Sequence, residues 1–134
     1  MSGAETDAER IRRRCQMECG ARCCRYITYI MRAPRRKCDF DEIAWFLAHE
    51  HVSVYIEARR WHLEVRTACK YLTPENLCAI YEQRPQVCRN YSHEFCEFPR
   101  RPRHTLHFDT KEEFDLWMEK RKKAQRCRKK AAKR

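Results

Sequence analysis

The sequence predicts an α+β fold, mainly helical, with a short hairpin and a C-terminal helix. Two helix starts carry that reading: Asp39-Phe40-Asp41-Glu42 and Thr110-Lys111-Glu112-Glu113 each set a capping residue three positions before a carboxylate, ahead of apolar positions at helical spacing. Between them Val52, Val54 and Ile56, then Trp61, Leu63 and Val65, alternate at the two-residue period of strands. The third observation is ten cysteines against two glycines in 134 residues. A domain this small buries proportionally little surface, and a metal cross-link would offset the deficit, so the fold is expected to be small and metal-stabilised.

In chain order, residues 1–14 are polar and turn helical from Ala8 to Arg14, leading into the first cysteines. The segment Arg25 to Met31, RYITYIM, is β-branched and aromatic and suits a short strand. Pro34 to Lys37 is a loop, after which Asp39 caps a helix over residues 40–50 that turns Ile43, Phe46 and Leu47 inward. The alternating segments form a hairpin broken at Ala58-Arg59-Arg60, and Thr73-Pro74-Glu75-Asn76 turns the chain between two cysteines. Pro85 suits the first position of a short helix over Gln86 to Tyr91. Pro99 to Pro102 is a basic linker, and Thr110 starts a terminal helix whose Phe114, Trp117 and Met118 make an apolar stripe for packing on the body. The expected division is a cysteine-cluster metal-binding domain over 1–98 and a basic linker with a C-terminal amphipathic helix over 99–134.

The net charge of +11 is unevenly spread. Residues 1–98 hold 16 Lys and Arg against 14 Asp and Glu, and residues 99–134 hold 14 against 5, so the body is +2 and the tail +9. The Lys/Arg-rich stretch 120–134 suits nucleic-acid phosphates, yet the favoured reading is a solvated helix end whose cations oppose the partial negative charge of the helix C-terminus. Gly3 and Gly20 cannot build a G-x-G-x-x-G turn or a phosphate-cradling loop. The longest apolar run, Ile43 to Ala48, falls far short of the roughly 20 residues of a membrane span. With no apolar h-region near Met1, a cytoplasmic location is expected, and there clustered thiols read as metal ligands or redox groups rather than disulfides.

Eight cysteines fall into two groups: Cys15, Cys19, Cys23 and Cys24, then Cys69, Cys78, Cys88 and Cys96. Thiolates from two distant segments can converge on metal, and the binding energy then serves as folding energy. On a continuous helix Cys15, Cys19 and Cys23 would form a drifting stripe with β-carbons about 5 to 6 Å apart. Tetrahedral zinc, with Zn to S near 2.3 Å, is usually held by C-x2-C knuckles, and none exists here, although side-chain rotation and a helix break at Gly20 would still let such a site close. An iron-sulfur cube tolerates scattered cysteines better, so it is favoured over zinc, with both open. Cys38 reads as a small buried hydrophobe and Cys127, among Arg126, Arg128 and Lys129, as a reactive thiol. His49 and His51 read as solvated or capping groups at a helix end, and His93, three residues before Cys96, as an outer-shell group.

The runs Cys19-Gly20-Ala21-Arg22-Cys23-Cys24, Cys69-Lys70-Tyr71-Leu72 and Cys78-Ala79-Ile80-Tyr81-Glu82-Gln83-Arg84-Pro85-Gln86-Val87-Cys88-Arg89-Asn90-Tyr91 resemble the YkgJ-type cysteine-cluster family, CxxCxxCC, a zinc- or iron-chelating domain. The resemblance covers residues 15–98, and its specific part is the run from Cys78 to Arg89. Where the family reads C-x2-C-x2-C-C, this chain reads C-x3-C-x3-C-C, a departure that falls on Cys15 and Cys19. The resemblance implies a small bacterial, cytosolic metal-chelating domain whose ligands are the eight clustered cysteines. It also implies that Arg84 and Arg89, flanking Cys88, act as outer-shell groups beside the thiolates. A similar domain with an iron-sulfur cluster occurs in flagellin lysine methylases.

The expected function is therefore a cytosolic metal-binding cysteine-cluster protein that holds an iron-sulfur cluster, or zinc, for redox, sensing or metal handling. One alternative is a cluster-dependent, methylase-like modifying enzyme, which the missing glycine-rich loop and the absence of C-x3-C-x2-C weigh against. Another is a nucleic-acid-binding protein with a structural metal. The balance leans away from an enzyme, no membrane is expected, and a protein partner is left unspecified.

Overall fold

The computed structural model describes residues 3–90 and 103–134. His93, Cys96, Tyr91 and the whole Pro99 to Pro102 linker lie outside the described residues. Contacts divide the chain into two units, each assembled from two stretches: Met1–Ile27 with Arg66–Arg103, and Thr28–Val65 with His104–Arg134.

In the first unit, helix α1 (Asp7–Arg13) starts at Thr6, whose Oγ1 accepts the Glu9 N–H at 3.2 Å while the Glu9 carboxylate accepts the Thr6 N–H at 2.8 Å. The helix widens into a π turn over Arg14–Glu18, with the Cys19 N–H donating to the Arg14 carbonyl at 2.9 Å. Gly20 and Ala21 then take left-handed conformations, φ 63 and 54, and end it. Cys23 and Cys24 sit on a separate 3-10 turn, Arg22–Cys24, so Cys15, Cys19 and Cys23 form no continuous helical stripe. Farther on, Leu72 pairs with Cys78, and the turn between them closes through Thr73 N–H to the Leu77 carbonyl at 2.8 Å with Asn76 at φ 62. Helix α3 is a single turn, Gln86–Arg89. Pro85 stands just before it, in extended conformation, rather than at its first position.

The second unit is built on a four-stranded antiparallel sheet in the order β1-β3-β2-β4, formed by β1 (Tyr26–Met31), β2 (Val52–Glu57), β3 (Arg60–Arg66) and β4 (Leu106–Phe108). The hairpin is thus the centre of a larger sheet than expected. Its two-residue turn, Ala58-Arg59, has φ 47 and 65 without a glycine, the double left-handed turn that matches strand twist. RYITYIM takes one sheet edge as β1, because a β-branched and aromatic segment packs well on a pleated surface.

Helix α2 spans Lys37–Leu47, three residues earlier at each end than expected. Arg36, not Asp39, is the capping position. Asp39 lies one turn in, where its carboxylate accepts the Arg35 and Arg36 N–H groups at 2.9 and 2.8 Å and pairs with the Arg36 guanidinium at 3.1 Å. Those donors hold its carboxyl well below the usual carboxylate range. The second start is as expected: Thr110 Oγ1 accepts the Glu113 N–H at 3.2 Å and Glu113 returns the bond to the Thr110 N–H, opening α4 (Lys111–Ala132).

One face of the sheet meets α2 and α4 over Ile43, Leu47, Val54, Trp61, Phe108 and Phe114, all buried. The predicted stripe is present, with Phe114 at 1% exposure, Trp117 crossing Trp61 at 5.9 Å, and Met118 packed beside them. The other face carries Tyr55, opposite His62 of β3 and His107 of β4. Tyr55 stacks on His62 at 4.7 Å and meets the edge of His104 at 4.2 Å. Among the described residues no helix is long and apolar enough to cross a membrane.

Candidate metal centre

The first cysteine group owes its shape to the end of the N-terminal helix. Cys15 lies on the π turn and Cys19 at its end, with Cys19 Sγ 4.0 Å from the Cys15 carbonyl oxygen. The reversal at Gly20 and Ala21 is held by the Ala21 N–H on the Cys15 carbonyl at 2.9 Å, and Ala21 is buried at 3% exposure. Cys23 and Cys24 therefore return beside the helix end instead of running on past it.

Cys69 and Cys78 of the second group are brought in through the main chain. The Cys69 N–H donates to the Cys24 carbonyl at 2.7 Å. The Leu72–Cys78 bridge and the Ala79 N–H on the Tyr71 carbonyl at 2.8 Å fold Cys78 back toward Cys69. Arg25 braces the junction from the other side, donating from Nε to the Gly20 carbonyl at 2.8 Å and from Nη2 to Asn76 Oδ1 at 2.6 Å.

The thiols feel one another. Burial pushes the Cys88 thiol up, Cys24 pushes it further, and Cys69 and Cys78 add to the rise against the opposing Arg84 guanidinium. Cys24 moves the other way, to about 6, because the Cys23 thiol donates to it and Arg84 and Arg25 favour its charge, against burial that raises it. Cys24, Cys69 and Cys78 thus each lie within electrostatic reach of Cys88, with Cys24 poised as a thiolate. None of the nine cysteines among the described residues is in a disulfide. Among the described residues no three His, Cys, Asp or Glu side chains are already drawn to metal-holding positions. The donor chemistry suits zinc or iron, since soft thiolates select both.

The two arginines differ. Arg84 lies over the Tyr81 ring at 3.9 Å, donates to the Tyr81 and Cys88 carbonyls at 3.0 and 3.5 Å, and acts on both Cys24 and Cys88. Arg89 spends its guanidinium on the Arg84 and Glu82 carbonyls, both at 3.0 Å, and so braces the loop. Arg25 and Tyr81 are contributions that sequence reasoning missed; the signals were the adjacency of Arg25 to Cys24 and the Tyr81–Arg84 spacing.

The outlying residues stand apart. Cys38 is exposed rather than buried, with Sγ 3.7 Å from Asp39 Oδ1, because it falls on the solvent side of the first turn of α2. Cys127 is exposed on α4. His49 and His51 are exposed, and His49 Nδ1 meets the Trp45 carbonyl at 2.8 Å, a helix-end contact.

Comparison with curated proteins and with solved structures finds no match. Comparison with family models does, over residues 14–127, beginning one residue before Cys15 and ending on Cys127. The match takes in both cysteine groups and most of α4, more than the 15–98 stretch that carried the resemblance. The thiols gathered between Cys15 and Cys88 and the extent of that match agree, and the chain belongs to the CxxCxxCC family, described as a "Putative zinc- or iron-chelating domain".

Proposed function

We propose that this metal-binding domain holds an iron-sulfur cluster on thiolates drawn from Cys15, Cys19, Cys23, Cys24, Cys69, Cys78, Cys88 and Cys96, for redox, sensing or metal-handling use in the cytoplasm. The observation that carries the reading is the meeting of the two groups at the Cys69 N–H to Cys24 carbonyl bond, with Cys78 and Cys88 in electrostatic reach. A cube is larger than a single ion and accepts cysteines from scattered positions, which suits thiols supplied by a π turn, a 3-10 turn, the loop holding Cys69 and Cys78, and the single turn of α3. Zinc, with Zn to S near 2.3 Å, demands sulfurs drawn closer together. Arg84, beside Cys24 and Cys88, offsets the charge of the ligating thiolates and tunes the bound group.

Anaerobic purification with metal and acid-labile sulfide analysis tests the proposal. A brown protein with iron and sulfide in comparable amounts is the expected result. A colourless protein with stoichiometric zinc and no sulfide overturns the cluster and makes zinc the resident metal.

A further inference from the structure

The terminal helix leaves its core packing behind at one residue. Arg121 is held over the Phe40 and Trp117 rings, at 5.1 and 5.4 Å. From Lys120 to Arg134, ten of the fifteen residues are Lys or Arg and none is acidic, and every side chain of the stretch is exposed. Eight of the ten lie within α4 itself. Among the described residues the ion pair on this helix is Lys111–Asp115, in its first turn. The distal part has like charges at helical neighbours instead, Lys122–Arg126 and Arg126–Lys130, each of which weakens an isolated helix. A helix serving only solubility interleaves acids with bases and escapes that repulsion.

The placement of the cations says more than their number. At about 100° per residue the eight helical cations surround the axis, leaving no empty sector wider than about 80°. A flat anionic surface is met by a one-sided stripe, and a lipid surface also by large apolar residues on the opposite side. Between Glu119 and Arg134 the residues without charge are Ala124, Gln125, Cys127, Ala131 and Ala132, none of them a large apolar group. Cations on all sides suit a groove with phosphates on both walls. The B-DNA major groove, about 12 Å wide, admits a helix about 10 to 12 Å across, whereas the A-form RNA major groove is too narrow.

We infer that α4 from Lys120 onward lies in the major groove of duplex DNA and meets the phosphates of both walls without reading sequence. The test uses the full chain with its metal in place, short labelled duplexes of mixed sequence and fluorescence anisotropy. Binding to DNA should weaken about a thousandfold or more between 50 and 200 mM salt, as for six or more neutralised phosphates. Two charge-reversal sets probe the two walls: Lys122→Glu with Arg126→Glu and Lys129→Glu on one side, and Lys120→Glu with Arg128→Glu on the other. Each set should weaken binding about tenfold or more and flatten the salt slope by about 0.9 for every phosphate left without its cation, with helix content and metal content unchanged. No binding at the lower salt overturns the inference, as does either set proving neutral. So does tighter binding to an RNA duplex or to phosphatidylserine vesicles than to DNA.

Discussion

The N–H of Cys69 donates to the carbonyl of Cys24 at 2.7 Å, which fixes a residue of the second cysteine group against the last residue of the first. Because the bond is made by main-chain atoms, it needs neither thiol and leaves both sulfurs able to ligate. Cys24→Ser and Cys69→Ser should each lose most of the bound metal, measured by elemental analysis, while Cys38→Ser and Cys127→Ser keep it. Full retention in the first pair would remove Cys24 and Cys69 from the ligand set.

In metal-free protein the Cys24 thiol, lowered from an ordinary 9.0 to about 6, should be the first to react with iodoacetamide as pH rises, with its rate half-maximal at about pH 6. Cys23→Ala should move that midpoint upward more than Arg84→Gln, since the Cys23 hydrogen bond is the larger cause. The folded state binds fewer protons here than the unfolded chain, so this group's contribution to stability is full above about pH 9 and fades as pH falls to about 6. Mass spectrometry of peptides quenched across that range reads the labelling, and urea midpoints at the same pH values read the stability.

Removing the metal should loosen the first unit before the second. Hydrogen exchange should accelerate at residues 15–24 and 69–89 on chelation, while Val54, Phe108 and the Phe114 turn stay protected, because the latter rest on apolar burial. A free-metal concentration a hundredfold above Kd corresponds to about 2.7 kcal/mol of stabilisation. Uniform acceleration in both units would show that the metal is not local to the cysteine unit.

Phe114, at 1% exposure between Phe108 and Trp117, should cost about 3 to 5 kcal/mol as Phe114→Ala in urea unfolding. Leu116, 59% exposed on the same helix, should shift stability by no more than about 0.5 kcal/mol as Leu116→Ala. Thr110→Ala removes the cap of α4 and should cost about 1 kcal/mol. Equal losses at Phe114 and Leu116 would contradict the orientation of α4.

His104 is held below its ordinary 6.5 by burial first and by His107 next, against Glu57 and Glu64, and its Nδ1 has no hydrogen-bond partner among the described residues. The fold thus favours the neutral ring over the protonated one. The unfolded chain takes up a proton first as pH falls below 6.5, so stability should decline with acidification there and recover above it. His104→Gln should flatten that dependence in urea midpoints measured across the range.

Much of the second unit was legible in the sequence. Alternation at Val52 to Val65 and the Thr110–Glu113 box depend on neighbours within a few positions, and both elements formed where the pattern placed them. Asp39 shows where such signals blur: an aspartate suits the cap and the position a turn inside it equally, and the Arg35 and Arg36 N–H groups decided for the latter. The cysteine grouping was legible as well, but not its shape. The π turn at Arg14–Glu18 has no compositional mark, and the left-handed Ala21 carries a side chain that local preference steers away from that conformation.

Residue type and short-range spacing suffice to make this a small basic protein with two cysteine groups, a central hairpin and a cationic terminal helix. Tertiary structure alone decided that Cys24 meets Cys69, that Arg84 rather than Arg89 faces the thiols, and that RYITYIM completes a four-stranded sheet. Those relationships join segments tens of residues apart. Which partner satisfies an N–H, a carbonyl or a guanidinium across such a separation is settled by the whole packed chain, not by local preference.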